Sequence, residues 1–197
     1  MPETEPDQTR TQTRRQQILD AAAAGFVRHG FHGTSIATIS KMAGMSPGHI
    51  YHFFANKEAI IAALVERKLE ESLALMRHFD DAEDAFQSML DRVDLGVNQK
   101  TDPDHAALEI EILAEATRNP QVAAMVQAAD VAMHEQVRKL LQRARLACGL
   151  SGEVDPAVTE ITRALFDGLT ARAITNPGLD KEALLPLLRV TLRALIT

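Results

Sequence analysis

A cluster of hydroxyl, ammonium and imidazole side chains between residues 34 and 57 is the part of this chain best suited to chemistry. Hydroxyl and ammonium groups at the edges of short helices can donate hydrogen bonds to phosphate oxygens, and such bonds position a protein on nucleic acid. The predicted phosphate contacts are Thr34, Ser35, Ser46, Tyr51 and Lys57. Lys57 lies in the first turn of a predicted helix, where the helix dipole disfavours a cation, so a nearby phosphate would explain its position.

A second set of residues in this stretch could read base edges. Imidazole groups donate or accept hydrogen bonds at a purine edge in the major groove, and a glycine lets the backbone approach closely. The predicted base-reading residues are Pro47, Gly48, His49 and His52, with Ala37 and Thr38 as a weaker set whose methyl groups could contact thymine. The alternative for both histidines is simple solvent exposure. A metal site is disfavoured because no acidic or thiol ligand lies beside them.

The apolar residues around these side chains predict two short helices joined by a turn. The first helix has apolar residues at positions 36, 39 and 43, begins with a Thr34 or Ser35 cap, and ends at Gly44, which can adopt a left-handed conformation. The second begins at Ser46-Pro47 and has apolar residues at positions 50, 53 and 54. This layout is a helix-turn-helix, whose second helix can lie in a DNA major groove.

The same segment resembles the DNA-binding signature of the tetracycline-repressor (TetR) family. The matching residues are Gly33, Thr34-Ser35, Ile36, Ile39, Ala43-Gly44, Ser46, Gly48, Ile50-Tyr51, Phe54 and Lys57-Glu58. The resemblance covers about residues 14–66, and the remainder agrees with the family only in length and helical character. It implies a repressor that binds a pseudo-palindromic operator in double-stranded DNA as a homodimer and is released by a small-molecule effector.

Two features near this signature bear on DNA contact. A His or Tyr is frequent in the family at position 53, where this chain has Phe53, so a phosphate contact there is lost and Phe53 is expected to pack inside the head. Arg10, Arg14 and Arg15 precede the first helix core. They could reach the DNA backbone or minor groove, or they could belong to a solvated tail.

The distribution of charge supports nucleic-acid binding although the whole chain carries a net charge of −6. Residues 9–57 hold six basic groups and one acidic group, whereas residues 58–197 hold 15 basic and 23 acidic groups. DNA binding needs a local positive surface, and an acidic remainder discourages indiscriminate association. We therefore expect DNA to contact only the N-terminal part.

The pattern along the whole chain predicts an all-α fold of about nine helices with no convincing strand. We predict a flexible arm over 1–11, a helix-turn-helix DNA-binding domain over 12–58, and an effector-binding and dimerisation domain over 59–197. No apolar run approaches the length of a membrane span, and no signal sequence is evident. The single Cys148 excludes an internal disulfide, so a cytoplasmic location is expected.

The last two predicted helices, 156–175 and 180–196, carry more apolar surface than one protomer needs. In the resembled family these helices form the dimer interface, as a four-helix contact about a two-fold axis. The predicted interface residues are Leu165, Phe166, Leu169, Leu188, Leu192 and Leu195. The alternative is that the two helices only close the core of the monomer.

The C-terminal part also contains candidate effector-binding residues, because the family holds an inducer between helices of this region. Adaptable apolar side chains suit irregular pockets, and polar groups among apolar neighbours could fix a ligand. The candidates are Met76, Phe79, Phe86, Met89, Met125 and Met133, with the polar Glu109, Glu111, Asp130 and His134. At any one position, core packing or solvation is the simpler interpretation. The absence of Trp and the single Tyr disfavour an aromatic cage for cations, so we expect a small apolar or weakly polar effector.

Other classes of function fit less well. No phosphate loop, zinc-protease motif, metal-ligand spacing or paired nucleophile and base is present, so we expect neither catalysis nor a cofactor nor a metal. A helical adaptor whose head binds protein is the second alternative. The basic head and its hydroxyl-rich helix edges disfavour it.

Overall fold

The computed structural model describes residues 5–79 and 83–197, and within these ranges the chain forms ten α-helices and no strand. The helices are α1 Glu5–Gly33, α2 Ile36–Ala43, α3 Pro47–Phe53, α4 Lys57–Arg77, α5 Ala85–Asp91, α6 Val93–Lys100, α7 Pro103–Ala116, α8 Pro120–Ala147, α9 Pro156–Thr175 and α10 Lys181–Ile196. The all-α prediction is confirmed. The tenth helix arises because Arg92, with φ −105° and ψ 20°, separates α5 from α6 where one helix was expected.

Helix α1 begins well before the predicted residue 12. Residues 5–11, which were expected to be part of a flexible arm, are helical, and residues 1–4 of that arm lie outside the described residues. The stretch from 7 to 24 contains neither glycine nor proline and is rich in Gln, Arg and Ala, so nothing in it interrupts a helix. Gly30 does interrupt α1, since its φ of 71° is outside the helical range.

The caps predicted for the helix-turn-helix are confirmed. Ser35 accepts a hydrogen bond from the Thr38 amide at 3.0 Å, and Ser46 accepts one from the His49 amide at 3.2 Å. Gly44 ends α2 in the left-handed conformation, with φ 64°. These caps satisfy backbone groups that a helix end leaves unpaired, and they fix where α2 and α3 begin and end.

The chain divides into two compact units. The first contains the residues up to Arg67 together with Glu111–Met125. Its core holds fully buried aromatic and aliphatic side chains from α1 to α4. They include Ile18, Leu19, Phe26, Phe31, Ile39, Ile50, Ile60, Ile61 and Leu64. The predicted boundary after residue 58 was therefore too early, because the first turns of α4 bury their apolar side in this unit.

The second compact unit contains Lys68–Ile110 and Val126–Thr197. Its core joins α5 and α6 to the apolar sides of α8, α9 and α10. Buried members are Phe86, Met89, Leu90, Val93, Val97, Leu141, Leu169, Leu185, Leu192 and Ile196. No helix in the described part of the chain is both long enough and apolar enough to span a lipid bilayer.

Candidate functional site

The surface of α2 and α3 presents most of the predicted DNA-binding residues to solvent. Ser35, Ala37, Ser46, Pro47, Gly48, His49, Tyr51 and His52 are exposed, and Thr38 is half-buried. The Tyr51 side chain is exposed although it is large and mostly apolar, with 54% of its surface accessible. An exposed tyrosine beside an exposed glycine and two histidines leaves an unobstructed surface that nucleic acid can reach. The DNA contacts of these residues stay predictions.

The serine caps keep the capacity to contact phosphate. In each cap the serine oxygen accepts from a backbone amide, so its own hydroxyl proton is not needed for the cap. The Ser35 hydroxyl also lies 2.9 Å from the Thr38 hydroxyl. Ser46 has no further side-chain contact of this kind, which makes it the freer donor of the two.

The two histidines of α3 pack against one aromatic ring. The ring centroids of His49 and His52 each lie 5.3 Å from that of Phe53. Phe53 is half-buried, so it restricts the two imidazoles while they stay accessible. The loss of a polar group at position 53 is therefore accompanied by firmer placement of the predicted base-reading side chains.

Thr34 does not belong to this exposed surface. Its side chain is fully buried, and its hydroxyl donates to the Gly30 carbonyl at 2.9 Å. A Cβ atom on Gly25 would lie 2.8 Å from the Thr34 methyl group, so the two residues pack tightly. This corrects the prediction that the Thr34 hydroxyl contacts phosphate: it is used to bridge the break in α1.

Lys57 also has internal partners. Its ammonium donates to the Phe31 carbonyl at 2.7 Å and to the Thr34 carbonyl at 3.1 Å, and lies 4.2 Å from the centre of the Phe31 ring. The carbonyls at a helix end lack partners and carry partial negative charge, so a cation is favoured there. The carbonyls at the carboxyl end of α1 thus offset the predicted conflict with the dipole of α4.

Two carboxylates of α7 hold the same junction within the first unit. Glu111 accepts a hydrogen bond from the Phe31 amide at 2.6 Å, and Glu115 lies 3.0 Å from Nε2 of His32. Only 2% of the Glu115 side chain is exposed. The predicted ligand-binding role of Glu111 is therefore corrected to a cap on the chain that follows Gly30. Sequence spacing could not identify this cap because 80 residues separate the partners.

The arginines of α1 have partners along or near their own helix. The Arg15 guanidinium lies 5.2 Å from the centre of the Phe54 ring, and Arg14 donates to Gln17 at 3.1 Å. Arg10 is exposed. Gln17 in turn donates to the Ala43 carbonyl at 2.9 Å, which ties α1 to the end of α2. These residues place α1 firmly beside the helix-turn-helix.

The second unit contains a partly open, mostly apolar cavity of about 140 Å³. Of the predicted ligand-binding residues, Met76, Phe79, Met89 and Met133 line it. Sequence reasoning missed the other apolar lining residues, Leu75, Val93, Gly96, Val137, Leu140, Leu141, Phe166 and Leu192, and the polar Ser72, Arg92, Gln99, Lys100, Thr162, Arg163 and Asp167. Several of these follow the helical spacing of core residues, so no sequence signal separates a cavity wall from a filled core.

The remaining ligand candidates lie elsewhere. Phe86 is buried in the core of the second unit, and Met125 belongs to the first unit. Asp130 accepts from Arg163 at 2.6 Å, and His134 lies 3.0 Å from a Glu160 carboxylate oxygen. Neither Asp130 nor His134 lines the cavity. Phe86 is thus occupied by core packing, and Asp130 and His134 are paired with side chains of α9. Met125 lies on the first turns of α8, outside the unit that holds the cavity.

Glu109 is the centre of a charge cluster beside the cavity. Its carboxylate lies 2.9 Å from the Lys100 ammonium, 3.5 Å from that of Lys68 and 3.4 Å from Nε2 of His105. Lys100 also lies 2.8 Å from Asp167. Two lysines therefore share one largely buried carboxylate, and a half-exposed aspartate balances the second lysine.

The cluster shifts the pKa values of its members. Burial alone would raise the pKa of Glu109, but the His105 hydrogen bond and the charges of Lys100 and Lys68 hold it far below its ordinary value. Burial lowers the pKa of Lys68 to about 8 in spite of Glu109. Burial also acts to lower the pKa of Lys100, but Glu109 and Asp167 outweigh it and raise that pKa.

The predicted dimer residues are only partly available for a partner. Leu169 and Leu192 are buried in the core of their own protomer, and Phe166 lines the cavity. Leu165, Leu188 and Leu195 are half-buried. The exposed apolar residues of α9 include Ile161, Ala164, Ala171 and Ile174, and those of α10 include Ala183, Leu187, Val190 and Ala194. We call these eight residues the outer stripe, and they lie beside the predicted interface residues on the exposed side of the two helices.

Comparisons with known proteins agree with this architecture. The sequence model described as bacterial regulatory proteins of the tetR family matches residues 18–64, and the model described as the C-terminal part of BetI-type transcriptional repressors matches residues 82–197. The chain is 35% identical over 166 residues to the HTH-type transcriptional regulator UidR of Escherichia coli, a match that covers 81% of this chain and 80% of UidR.

Solved structures of similar fold include GusR of Salmonella enterica, with a TM-score of 0.79, 28% identity and coverage of 98% of this chain and 97% of GusR. The transcriptional regulator FadR of Bacillus subtilis in complex with stearoyl-CoA has a TM-score of 0.77 at 19% identity. That match covers 90% of this chain and 96% of the FadR chain. The second likeness concerns the fold alone.

The charge cluster generates a stability prediction. Replacing Glu109 by Gln leaves Lys68 and Lys100 without their shared carboxylate, which should lower the free energy of unfolding by about 3 kcal/mol at pH 7. Because the folded pKa of Glu109 is depressed, its contribution is present above the unfolded pKa, near 4.3, and is lost as the pH falls below it. Urea unfolding at pH 7 and at lower pH measures both effects.

The matched control is Glu70→Gln, which removes an exposed carboxylate from α4. It should change the free energy of unfolding by less than about 0.5 kcal/mol. Equal losses in the two variants, or a Glu109→Gln loss that does not shrink in acid, would show that the cluster does not stabilise the fold.

Proposed function

The chain belongs to the TetR family of bacterial transcriptional regulators, and from that premise we propose that it binds a pseudo-palindromic operator as a homodimer and leaves it when a small effector fills its cavity. It is a DNA-binding regulator and not an enzyme. Because such a regulator acts on the chromosome, we place it in the cytoplasm. The observation that carries the proposal is the exposed face of α2 and α3, with its capped helix ends.

That face has the chemistry a major groove requires. Tyr51 and Ser46 offer hydroxyl donors for phosphate oxygens, while His49 and His52 offer ring nitrogens for base edges. The net charge of residues 9–57 is +5, which supplies the local positive field for phosphate binding. We assign Thr34 and Lys57 to holding this face in place, not to contacting DNA.

The outer stripe of α9 and α10 supports the homodimer. Leu187 and Val190 expose 67% and 65% of their surface, and Ile161 exposes 50%. Between Ile161 and Ile174 the same side of α9 carries Ala164, Gly168 and Ala171, which let another helix approach closely. Contiguous exposed apolar surface of this kind marks an interface, and two copies related by a two-fold axis would each cover the other's stripe.

The cavity supports regulation by a small effector. Ser72, Leu75 and Met76 belong to the cavity wall, and they lie on α4, which begins at Lys57 of the first unit. An effector that prefers a conformation poorly matched to the operator must lower operator affinity, and the operator must lower effector affinity by the same factor. The continuous helix α4 is our candidate for the element through which the two events are linked.

Substitutions on α3 test the DNA-binding assignment. Tyr51→Phe removes one phosphate donor and should weaken binding by about 3-fold to 10-fold on every sequence, since hydrogen bonds to charged groups contribute about 1 kcal/mol or more. His49→Ala should instead change which sequence is preferred, because base contacts specify. Fluorescence anisotropy with fragments of the chain's own upstream region, followed by selection from random DNA, measures the two effects.

Glu153→Gln, in an exposed loop of the second unit, is the control and should bind as the native chain does. The native chain should show binding that falls steeply with salt. The regulator assignment fails if no fragment gives salt-dependent binding. The base-reading assignment fails if selection with His49→Ala returns the native site.

The dimer is tested on the outer stripe. Leu187→Asp places two charges in the proposed interface and should raise the dimer dissociation constant on the order of 100-fold. Leu146→Asp is the matched control, because Leu146 is 58% exposed but lies on α8, outside the stripe. Sedimentation velocity should show monomers for the first variant and dimers for the second. Dimers in both would place the interface elsewhere.

A further inference from the structure

The wall of the cavity is basic although the unit around it is acidic. Among the charged lining residues, Arg92, Lys100 and Arg163 are cations and only Asp167 is a carboxylate. Residues 58–197 as a whole have 15 basic and 23 acidic groups. A wall with the average composition of residues 58–197 would carry a net negative charge. The net positive charge of the wall therefore indicates that the cavity takes a negatively charged molecule.

Two of the cations, Lys100 and Arg163, line the cavity together with Asp167. Asp167 lies one helical turn after Arg163 on α9 and is 2.8 Å from the Lys100 ammonium, which brings the three groups together. The Arg163 and Lys100 side chains are only 15% and 19% exposed. Their aspartate partners, Asp130 and Asp167, are 56% and 51% exposed. Arg163 is therefore paired with a carboxylate that water can readily solvate, and Lys100 has one such partner, Asp167, besides the largely buried Glu109.

We propose that the effector is a small organic acid, with an apolar body of about the size of one aromatic ring and a carboxylate that binds Arg163 and Lys100. This inference rests on the proposed function and specifies the chemistry of its effector. It refines the apolar or weakly polar molecule expected from sequence by adding one negative charge.

The energetics favour an acid over a neutral or cationic molecule of the same shape. An arginine binds a carboxylate through two parallel hydrogen bonds, and such charge-assisted bonds are about twice as strong as neutral ones. The half-exposed Asp130 and Asp167 lose little when displaced, because ion pairs in contact with water contribute little. Burial acts to lower the pKa of Lys100, but Glu109 and Asp167 raise it, so the ammonium stays charged. An amine would have Asp167 as its only carboxylate partner in the cavity wall, beside two cations that repel it.

The volume limits the apolar body. A cavity of about 150 Å³ lined by aliphatic and aromatic side chains holds a molecule of the size of benzene. The cavity here has about the same volume, 140 Å³. The flexible side chains of Met76, Met89 and Met133 could admit a few more atoms by changing rotamers. One ring, or a short branched chain, therefore matches the volume of the cavity.

Three molecules that share a phenyl body but differ in charge test this inference. Phenylacetate, phenylacetamide and phenethylamine are titrated calorimetrically into the full-length chain without DNA. Phenylacetate should bind at least about tenfold more tightly than the other two, as expected for one charge-assisted pair. Arg163→Gln should remove that preference, and Arg163→Lys should restore part of it. Asp130→Asn should tighten acid binding several-fold, because it removes the carboxylate that competes for Arg163.

Arg172→Gln is the control, since Arg172 is an exposed cation of α9 outside the cavity, and it should leave the preference unchanged. If the amide or the amine bound as tightly as phenylacetate or more tightly, the negative charge assigned to the effector would be wrong, although the cavity would still bind an effector. Binding of none of the three would overturn the inference as a whole. In both cases salt-dependent DNA binding by the same preparation would show that the proposed function survives.

Discussion

The ammonium of Lys57 holds the carboxyl end of α1 and thereby fixes where the DNA-binding face begins. It bonds to the carbonyls of Phe31 and Thr34 and lies over the Phe31 ring. Gly30 breaks α1 one residue before Phe31, and the Phe31 carbonyl accepts a backbone hydrogen bond only from the Thr34 amide, at 3.3 Å. Ser35 follows directly and caps α2. A change at this junction would therefore displace α2 and, after it, α3.

The glutamates of α7 complete this junction from the other side of the peptide. The Lys57 ammonium donates a hydrogen bond to the Phe31 carbonyl, and the Phe31 amide donates one to the Glu111 carboxylate. One peptide segment is thus held by a cation and an anion, both partly shielded from water, where such bonds are stronger than at an exposed surface. The arrangement explains why Thr34 is buried: its hydroxyl closes the gap at Gly30.

Local rules predicted the helix-turn-helix well, because caps and turns depend on neighbouring residues. The Ser35 and Ser46 caps and the left-handed Gly44 occur as expected. The roles of Thr34, Lys57 and Glu111 were not predictable in this way, since their partners are determined by tertiary packing. The same reason applies to the cavity: residue type suggests Met76 and Met89, but nothing in the sequence distinguishes Lys100 and Arg163 from solvated cations.

The most direct test of this account replaces Lys57 by Met, which keeps the aliphatic stem and removes the ammonium. Amide hydrogen exchange and the salt dependence of DNA binding are then measured on the same variant. If Lys57 holds the junction, exchange in α1 and α2 should accelerate and DNA affinity should fall, while the slope of log affinity against log salt stays unchanged. Native exchange rates together with a slope reduced by about one would contradict the account, because they would show that Lys57 neutralises a phosphate instead.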